Sequence, residues 1–373
     1  MEAVGAARDE ERATILSEVD RFVRHALAPH VARHEHPMDA KVFARVLGEA
    51  EALGLAGSDG APTGLAPWEE LESGEAPAGT LEVLTRIARA NAGVALAIHQ
   101  RALARVVARR AGLAATASPA VIAIEGSLGL GRTSLARLLA GAELDDDDRA
   151  VLSAVYAPGA ERVLVLDPGA AALVTPAFDG RAMRWQRHPR ASLAISAEPH
   201  AHGLGELSVA RVRATSPEAG ALAPTGALAE ALAAQMLALV AIATGSVERA
   251  CEIARRFAAQ RRQGGQPIDR HPAVAALLGR ARRSVDGARA ELATLAGTRI
   301  QARAIGRIAA FRGDVSVRLA DGAHAALQVA GGLGYMRETG LEKVSRDVNA
   351  LRVLAGSPPE LELFAAEWER LHA

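Results

Sequence analysis

Residues 327–348 read LQVAGGLGYMRETGLEKVSRDV and form the most distinctive pattern of the chain. Gly331, Gly332 and Gly334 follow an apolar stretch, at a point where the backbone must adopt positive φ or approach another group closely. The segment that follows is polar and contains six charged residues between positions 337 and 347: Arg337, Glu338, Glu342, Lys343, Arg346 and Asp347. The pattern predicts a helix that ends in glycines, followed by a helix held by salt bridges.

Helical periodicity extends on both sides of this segment. In the carboxyl-terminal part, apolar spacing predicts helices over residues 227–262, 272–295, 299–311, 315–330, 341–354 and from Pro359 to about 372. In the amino-terminal part, it predicts helices over residues 13–33 and 42–53, and one or two more over 81–111. Pro29 should kink or end the first of these. Both ends of the chain are therefore expected to be helical.

The middle of the chain differs. Short β-prone runs punctuated by Gly, Pro and Asp occur at residues 121–124, 151–156, 162–166, 172–174 and 207–212. We read the acidic run Asp145–Asp148 as a solvated hairpin turn. These features predict an α+β fold: an N-terminal helical domain over 1–117, a small antiparallel β-barrel or sandwich over 118–216, and a C-terminal four-helix bundle over 217–373.

Composition narrows the classes of function. Lys+Arg and Asp+Glu are both 43 in 373 residues, so no net charge attracts nucleic acid or anionic lipid. The single cysteine, Cys251, fits a reducing compartment. The longest apolar run, residues 232–244, falls short of the roughly 20 residues of a membrane span, and no signal peptide is visible. We expect a cytoplasmic protein without nucleic-acid or membrane partners.

Two familiar motifs are considered and set aside. The run from Gly126 to Thr133 approaches a phosphate-binding loop, but Arg132 stands where that loop needs a compact lysine, so a hairpin loop is the better interpretation. His30 and His34 have the spacing of a helical metal pair, but Pro29 interrupts the helix there and no further ligand completes a set. The sequence predicts no metal site.

The segment 327–348 resembles the carboxyl-terminal signature of the acyl-CoA dehydrogenase family, Q-x-x-GG-x-GY-x-x-E-x-x-x-E-x-x-x-RD. Arg261–Ile268 resembles the family's R-x-x-FG-x-P-I, and Ala90–His99 is similar to its amino-terminal helix. The order of helical region, β region and helical bundle is also the family's. The likeness is good over residues 225–356, moderate over 1–117 and poor over the β region.

The resemblance implies an FAD-dependent oxidoreductase, a homotetramer with FAD bound between subunits. Such an enzyme removes an α-proton and a β-hydride from an acyl thioester carried on coenzyme A or on a carrier protein. Arg261 would neutralise the FAD pyrophosphate. Gln328 and the backbone of Gly331 and Gly332 would hold the adenosine-diphosphate portion from a neighbouring subunit. Ser357 would take the place of a family threonine near the adenine.

The chain departs from the family at the catalytic base. Counting from the signatures places Ala355 at the usual glutamate position and Gln235 at the alternative one, and neither can abstract a proton. Glu230 is the remaining candidate base, against the simpler reading of a solvated helix-start glutamate. At the cofactor, Gly264 replaces the family phenylalanine and Pro272 a family glutamine.

The flavin-lining segments of the family's β region are hard to find in this chain. Ile124–Gly126 and Val155–Ala157 are the nearest equivalents, and Trp185 does not obviously substitute. Three functions therefore stay open. The chain could be a dehydrogenase that recruits a base from elsewhere, a flavin-dependent oxygenase that needs no α-proton base, or a non-catalytic subunit that pairs with an active family paralogue in a hetero-oligomer.

Overall fold

The computed structural model describes residues 2–31, 38–56, 66–113, 120–122, 132–198 and 201–373. Helices occupy both ends of the described chain, and two small sheets lie between them. The predicted α+β fold is confirmed.

The amino-terminal helices are α1 (Glu2–Phe22), α2 (Ala40–Ala52), α3 (Glu70–Ser73), α4 (Ala78–Ala90) and α5 (Ala92–Arg110). They agree with the prediction over 42–53 and 81–111, whereas the first helix begins at Glu2 and not at residue 13, and the short α3 was not predicted. After α1 the chain continues as a π-helical segment, Val23–Leu27, and then tightens into the three-residue 3-10 turn Ala28–His30, which contains Pro29. The helical run thus ends near Pro29, as predicted. Asn91 separates α4 from α5 because its backbone is extended and its side chain accepts a hydrogen bond from the Val94 amide at 2.9 Å. The stretch 81–111 is thus two helices.

The strands form two facing sheets. They are β1 (Ala120–Ile122), β2 (Arg162–Leu166), β3 (Ala172–Phe178), β4 (Met183–Pro189), β5 (Leu193–Ala197), β6 (Ser208–Ala214) and β7 (Ala219–Leu222). One sheet has the order β1-β3-β4-β7 and the other β2-β6-β5. Val121 and Leu173 from the first sheet share a small core with Leu164 and Val212 from the second. The arrangement is a sandwich, and β7 lies beyond the domain boundary expected at residue 216.

Two details of the β region differ from the sequence prediction. First, β1 pairs with β3 in parallel, with Val121 opposite Leu173, so the sheet is not wholly antiparallel. Second, helices α6 (Arg132–Ala140) and α7 (Asp146–Tyr156) interrupt the strands. The predicted turn at Asp145–Asp148 is the start of α7, where Asp148 N donates to Asp145 at 2.8 Å and Asp145 N to Asp148 at 3.3 Å. This capping box, with acidic groups at the positive helix end, makes the following run helical.

The carboxyl-terminal bundle consists of α8 (Thr225–Gln260), α9 (Pro272–Ala296), α10 (Ile305–Val329), α11 (Leu341–Val353) and α12 (Pro358–His372). The predicted helices 299–311 and 315–330 are one helix, α10, because Arg312 is buried within it and satisfied by hydrogen bonds. A short hairpin, β8 (Arg262–Gln263) and β9 (Gln266–Pro267), joins α8 to α9.

Helix α8 is the centre of the fold. By length and composition it could cross a membrane, but 83% of its most apolar window is buried inside the protein, as in a core helix. It crosses α4 so closely that a Cβ on Gly245 would lie 2.2 Å from the carbonyl oxygen of Thr85. Only glycine permits this backbone contact. The bundle and the amino-terminal helices therefore share one core.

Candidate functional site

An open crevice of about 820 Å³ brings together four of the predicted cofactor residues. It lies where α8 ends, the β8–β9 hairpin turns and α10 ends, and its wall includes Arg261, Gln328, Gly331 and Gly332. Arg261 and Gln328 are 67 positions apart in sequence and meet here because α8 and α10 pack side by side. We call this site the cofactor crevice.

The glycines shape one wall of the cofactor crevice. Helix α10 ends at Val329, and Gly331 turns the chain with φ +57 into the short turn Gly331–Tyr335. A Cβ on Gly331 or Gly332 would meet no atom within 4 Å, so the space beside their backbone is open to a ligand. Gly334 differs, because a Cβ there would lie 2.2 Å from the Leu327 carbonyl oxygen. Gly334 thus serves the fold, whereas Gly331 and Gly332 leave room for an approaching group.

The polar groups of the cofactor crevice suit an anionic nucleotide. Arg261 is exposed, and within the described residues its guanidinium has no hydrogen-bond or ion-pair partner. Gln328 is also exposed, and its Nε2 donates to the Tyr335 hydroxyl at 2.5 Å. An arginine fork without a partner is well suited to a diphosphate, and open glycine backbone permits close approach. The residues therefore fit the adenosine-diphosphate half of FAD.

Ser357 does not line the cofactor crevice. It is the N-cap of α12 and forms a capping box in which its amide donates to Glu360 Oε2 at 2.8 Å. Its side chain is already used by the backbone of its own helix. The structure thus leaves Ser357 apart from the other four predicted cofactor residues.

Ala355 lies in a buried turn with φ +52 and no exposed surface. Arg312, which the sequence analysis missed, supports this turn. Its guanidinium donates to the carbonyl oxygens of Leu351 at 3.0 Å and Gly356 at 2.8 Å, and also to that of Leu354. A cation at the carbonyl end of α11 is electrostatically favourable. The usual base position is therefore occupied by a methyl group that no solvent reaches.

Gln235 is also completely buried. Its Oε1 lies 2.5 Å from His99 Nε2, and His99 Nδ1 accepts a hydrogen bond from the Trp68 indole at 2.8 Å. Since the indole only donates, His99 carries its hydrogen on Nε2 and donates it to Gln235. Burial lowers the pKa of His99 to about 4, so the ring is neutral at pH 7. The position predicted for the alternative base is thus part of a neutral, fully buried hydrogen-bond chain.

Glu230 is held in an ion pair. Its carboxylate lies 2.7 Å from the guanidinium of Arg110 at the end of α5. The structure gives Glu230 a role in joining α5 to α8.

A buried charge cluster joins three parts of the chain, and the sequence analysis did not find it. Lys343 Nζ lies 2.5 Å from Asp347 and 3.2 Å from Glu206, and Asn91 donates to Glu206 at 2.8 Å. Asp347 also accepts from the Leu204 amide at 2.6 Å. Burial alone would lower the pKa of Lys343, but the two carboxylates outweigh it and raise that pKa to about 12. Burial raises the pKa of Asp347.

The other sequence candidates fall into two groups, one outside the described residues and one within them. Ile124–Gly126, most of the loop from Gly126 to Thr133, and His34 lie outside the described residues. Val155 and Tyr156 end α7, so the run 151–156, expected to be β-prone, is helical. Trp185 is buried in β4. In the described part of the chain, no group of three or more His, Cys, Asp or Glu residues could hold a metal ion.

Comparison with known proteins gives consistent results. Residues 188–359 match the acyl-CoA dehydrogenase C-terminal domain. The probable acyl-CoA dehydrogenase YngJ of Bacillus subtilis is 29% identical over 122 residues, which is 32% of either chain. The match therefore spans about a third of that curated relative.

Solved structures extend the likeness over the whole chain. Butyryl-CoA dehydrogenase from Megasphaera elsdenii has a TM-score of 0.70 at 15% identity, covering 95% of this chain and 97% of that one. A variant of the Tcur3481-Tcur3483 steroid ACAD has a TM-score of 0.68 at 16% identity, covering 98% and 97%. At such identities the likeness establishes the fold.

Proposed function

Because the chain has the fold and the carboxyl-terminal domain of the acyl-CoA dehydrogenase family, we propose that it is an FAD-binding subunit of an acyl-thioester oxidoreductase whose catalytic base comes from another polypeptide. One contrast carries the proposal. The four residues predicted to hold the adenosine diphosphate meet at an open crevice, whereas the two positions predicted for the base, Ala355 and Gln235, are fully buried and cannot ionise.

The binding role rests on the cofactor crevice. Arg261 provides a charge without a partner among the described residues, and Gly331 and Gly332 provide backbone that a phosphate can approach. Gln328 adds an exposed amide beside them. When bound, FAD would accept the hydride that leaves the acyl group as the thioester is oxidised. In the family FAD spans a subunit boundary, so this crevice would hold the adenosine end of a flavin whose ring lies against a neighbour.

The need for a second polypeptide rests on the missing base. Removing an α-proton beside a thioester requires a carboxylate within hydrogen-bond reach. Ala355 offers a methyl group, Gln235 an amide already bonded to His99, and Glu230 a carboxylate paired with Arg110. A family paralogue with an intact glutamate would supply the base in a hetero-oligomer. The substrate would be an acyl group on coenzyme A or a carrier protein, and the location cytoplasmic.

The experiment is an absorbance spectrum of the chain purified alone, and then co-expressed with a family paralogue that carries the glutamate. We expect co-purification of the two chains, bound flavin in the complex, and bleaching of that flavin by acyl-CoA. Arg261→Ala in this chain should lower the flavin content of the complex. Arg270→Ala is the matched control, because Arg270 is exposed on the same connection between α8 and α9 but does not line the crevice.

Other outcomes would replace the proposal. Bleaching of flavin by acyl-CoA in the chain alone would make it a dehydrogenase with its own base. Flavin-dependent oxygen consumption by the chain alone, without bleaching by acyl-CoA, would favour the oxygenase.

A further inference from the structure

His271 lines the cofactor crevice together with Arg261 and Gln328. It is half-buried at the start of α9, and its side chain does not cap that helix. Its Nε2 lies 3.0 Å from the carbonyl oxygen of Gln263. Because a carbonyl only accepts, Nε2 carries a hydrogen and donates it, which fixes the ring. Nδ1 is then the nitrogen that can take a further proton and turn the ring into a cation.

The His271 imidazole lies beside Gly264 and Pro272, the two positions where the family resemblance leads one to expect a phenylalanine and a glutamine. A Cβ on Gly264, which has φ +59, would lie 3.6 Å from Cε1 of His271, in van der Waals contact. A larger side chain at position 264 would therefore compete with the imidazole for space. Pro272, next to His271, has neither a side-chain amide nor a backbone N–H. The wall that has lost an aromatic ring and an amide thus presents an imidazole.

We propose that His271 binds the diphosphate of the nucleotide in the cofactor crevice, as a second cation beside Arg261. The start of α9 adds to the same field, since Val274 in its first turn also lines the crevice and a helix N-terminus carries partial positive charge. The inference rests on the proposed function, because it requires a nucleotide diphosphate in this crevice.

Isothermal titration calorimetry of the full chain with ADP tests the proposal, with adenosine as the probe without phosphate. His271→Ala should weaken ADP binding about tenfold, the size of one charge-assisted hydrogen bond, and leave adenosine binding unchanged. His271→Lys should recover most of the ADP affinity because it restores a cation. Arg270→Ala should bind ADP like the unchanged protein, and thermal melts should show that all variants are folded.

Three results would overturn the inference, and they are distinguishable. If His271→Ala binds ADP normally while Arg261→Ala does not, the role of His271 is wrong and the crevice assignment stands. If His271→Ala weakens ADP and adenosine equally, the residue shapes the crevice and does not bind phosphate. If the unchanged protein binds neither ADP nor FAD, alone or with its paralogue, the inference and the proposed function fail together.

Discussion

Replacing Lys343 by methionine should expose how strongly the buried charge cluster holds the fold. The Lys343 ammonium lies between the carboxylates of Glu206 and Asp347, whose side chains are 2% and 4% exposed. Methionine has a similar length but no charge, so the variant leaves two buried carboxylates without their cation. Breaking a buried ion pair by removing one partner costs about 3–5 kcal/mol. We expect a loss of that size in the free energy of unfolding at pH 7.

The loss should depend on pH in a defined direction. Burial raises the pKa of Asp347 even with Lys343 present, whereas at Glu206 the effect of burial is outweighed by Lys343 and Asn91, which lower its pKa. Removing the ammonium should therefore raise the pKa of both carboxyl groups. A carboxyl group whose pKa is higher in the folded than in the unfolded state destabilises the fold at high pH, and this penalty fades as protonation sets in. The difference between Lys343→Met and the unchanged protein should therefore be smaller at pH 5 than at pH 7.

Urea unfolding followed by far-ultraviolet circular dichroism at both pH values measures this difference. The control is Lys41→Met, at an exposed position at the start of α2, which should change the free energy of unfolding by less than about 0.5 kcal/mol. A loss below about 1 kcal/mol at pH 7, or an equal loss at both pH values, would refute the argument that two desolvated carboxylates depend on this lysine.

Four further substitutions test the site and the backbone around it. Ala355→Glu buries a carboxylate and should lower the free energy of unfolding by about 2–4 kcal/mol in urea titrations. In the flavin-loaded protein, the same substitution should create or raise bleaching of the flavin by acyl-CoA. Unchanged bleaching would count against placing residue 355 over the flavin. Gly334→Ala should cost about 1–3 kcal/mol through its clash with Leu327. Gly332→Ala should leave thermal stability nearly unchanged but weaken ADP binding, and the reverse order would contradict the assigned roles. Arg312→Met should cost about 3 kcal/mol, because the carbonyls at the end of α11 lose their donor; a melting temperature equal to that of the unchanged protein would disprove this.

The helices could be predicted from sequence because their signal is local. Apolar spacing gave α8 and α9 nearly to the residue, since a helix that buries one stripe must repeat it every 3.6 residues. The glycine run at the end of α10 was equally visible, because Gly331 needs positive φ and Gly334 needs close contact. Local geometry of this kind can be predicted from the residue types alone.

The misassigned elements needed information that is not local. Asp145–Asp148 satisfies both a turn and a helix start, and the reciprocal hydrogen bonds between Asp145 and Asp148 decide between them. The predicted break in α10 disappears because Arg312 finds carbonyl partners about 40 positions later in the chain. The parallel pairing of β1 with β3 depends on the path of the chain between them, which residue patterns do not fix.

The candidate site likewise contains residues that could be predicted from sequence and residues that could not. Arg261, Gln328 and the two glycines were predicted from the resemblance to the family signatures. The structure brings them to one crevice, where nucleotide binding stays a prediction. The cluster of Glu206 with Asn91 and Lys343 links groups more than 100 positions apart, and nothing in their local sequence announces it. His99 gave no signal either, because a histidine in an apolar helix looks the same whether it packs, binds or catalyses.

The hydrogen bond between Gln235 and His99 limits what position 235 can carry. A glutamate at this position would bring a negative charge into the buried core, beside an imidazole whose second nitrogen already accepts a hydrogen bond from the Trp68 indole. The glutamic acid would have to be protonated, or the core would have to open and admit water. Packing alone therefore favours the amide at this position. A single Gln235→Glu substitution would not place an ionised carboxylate there.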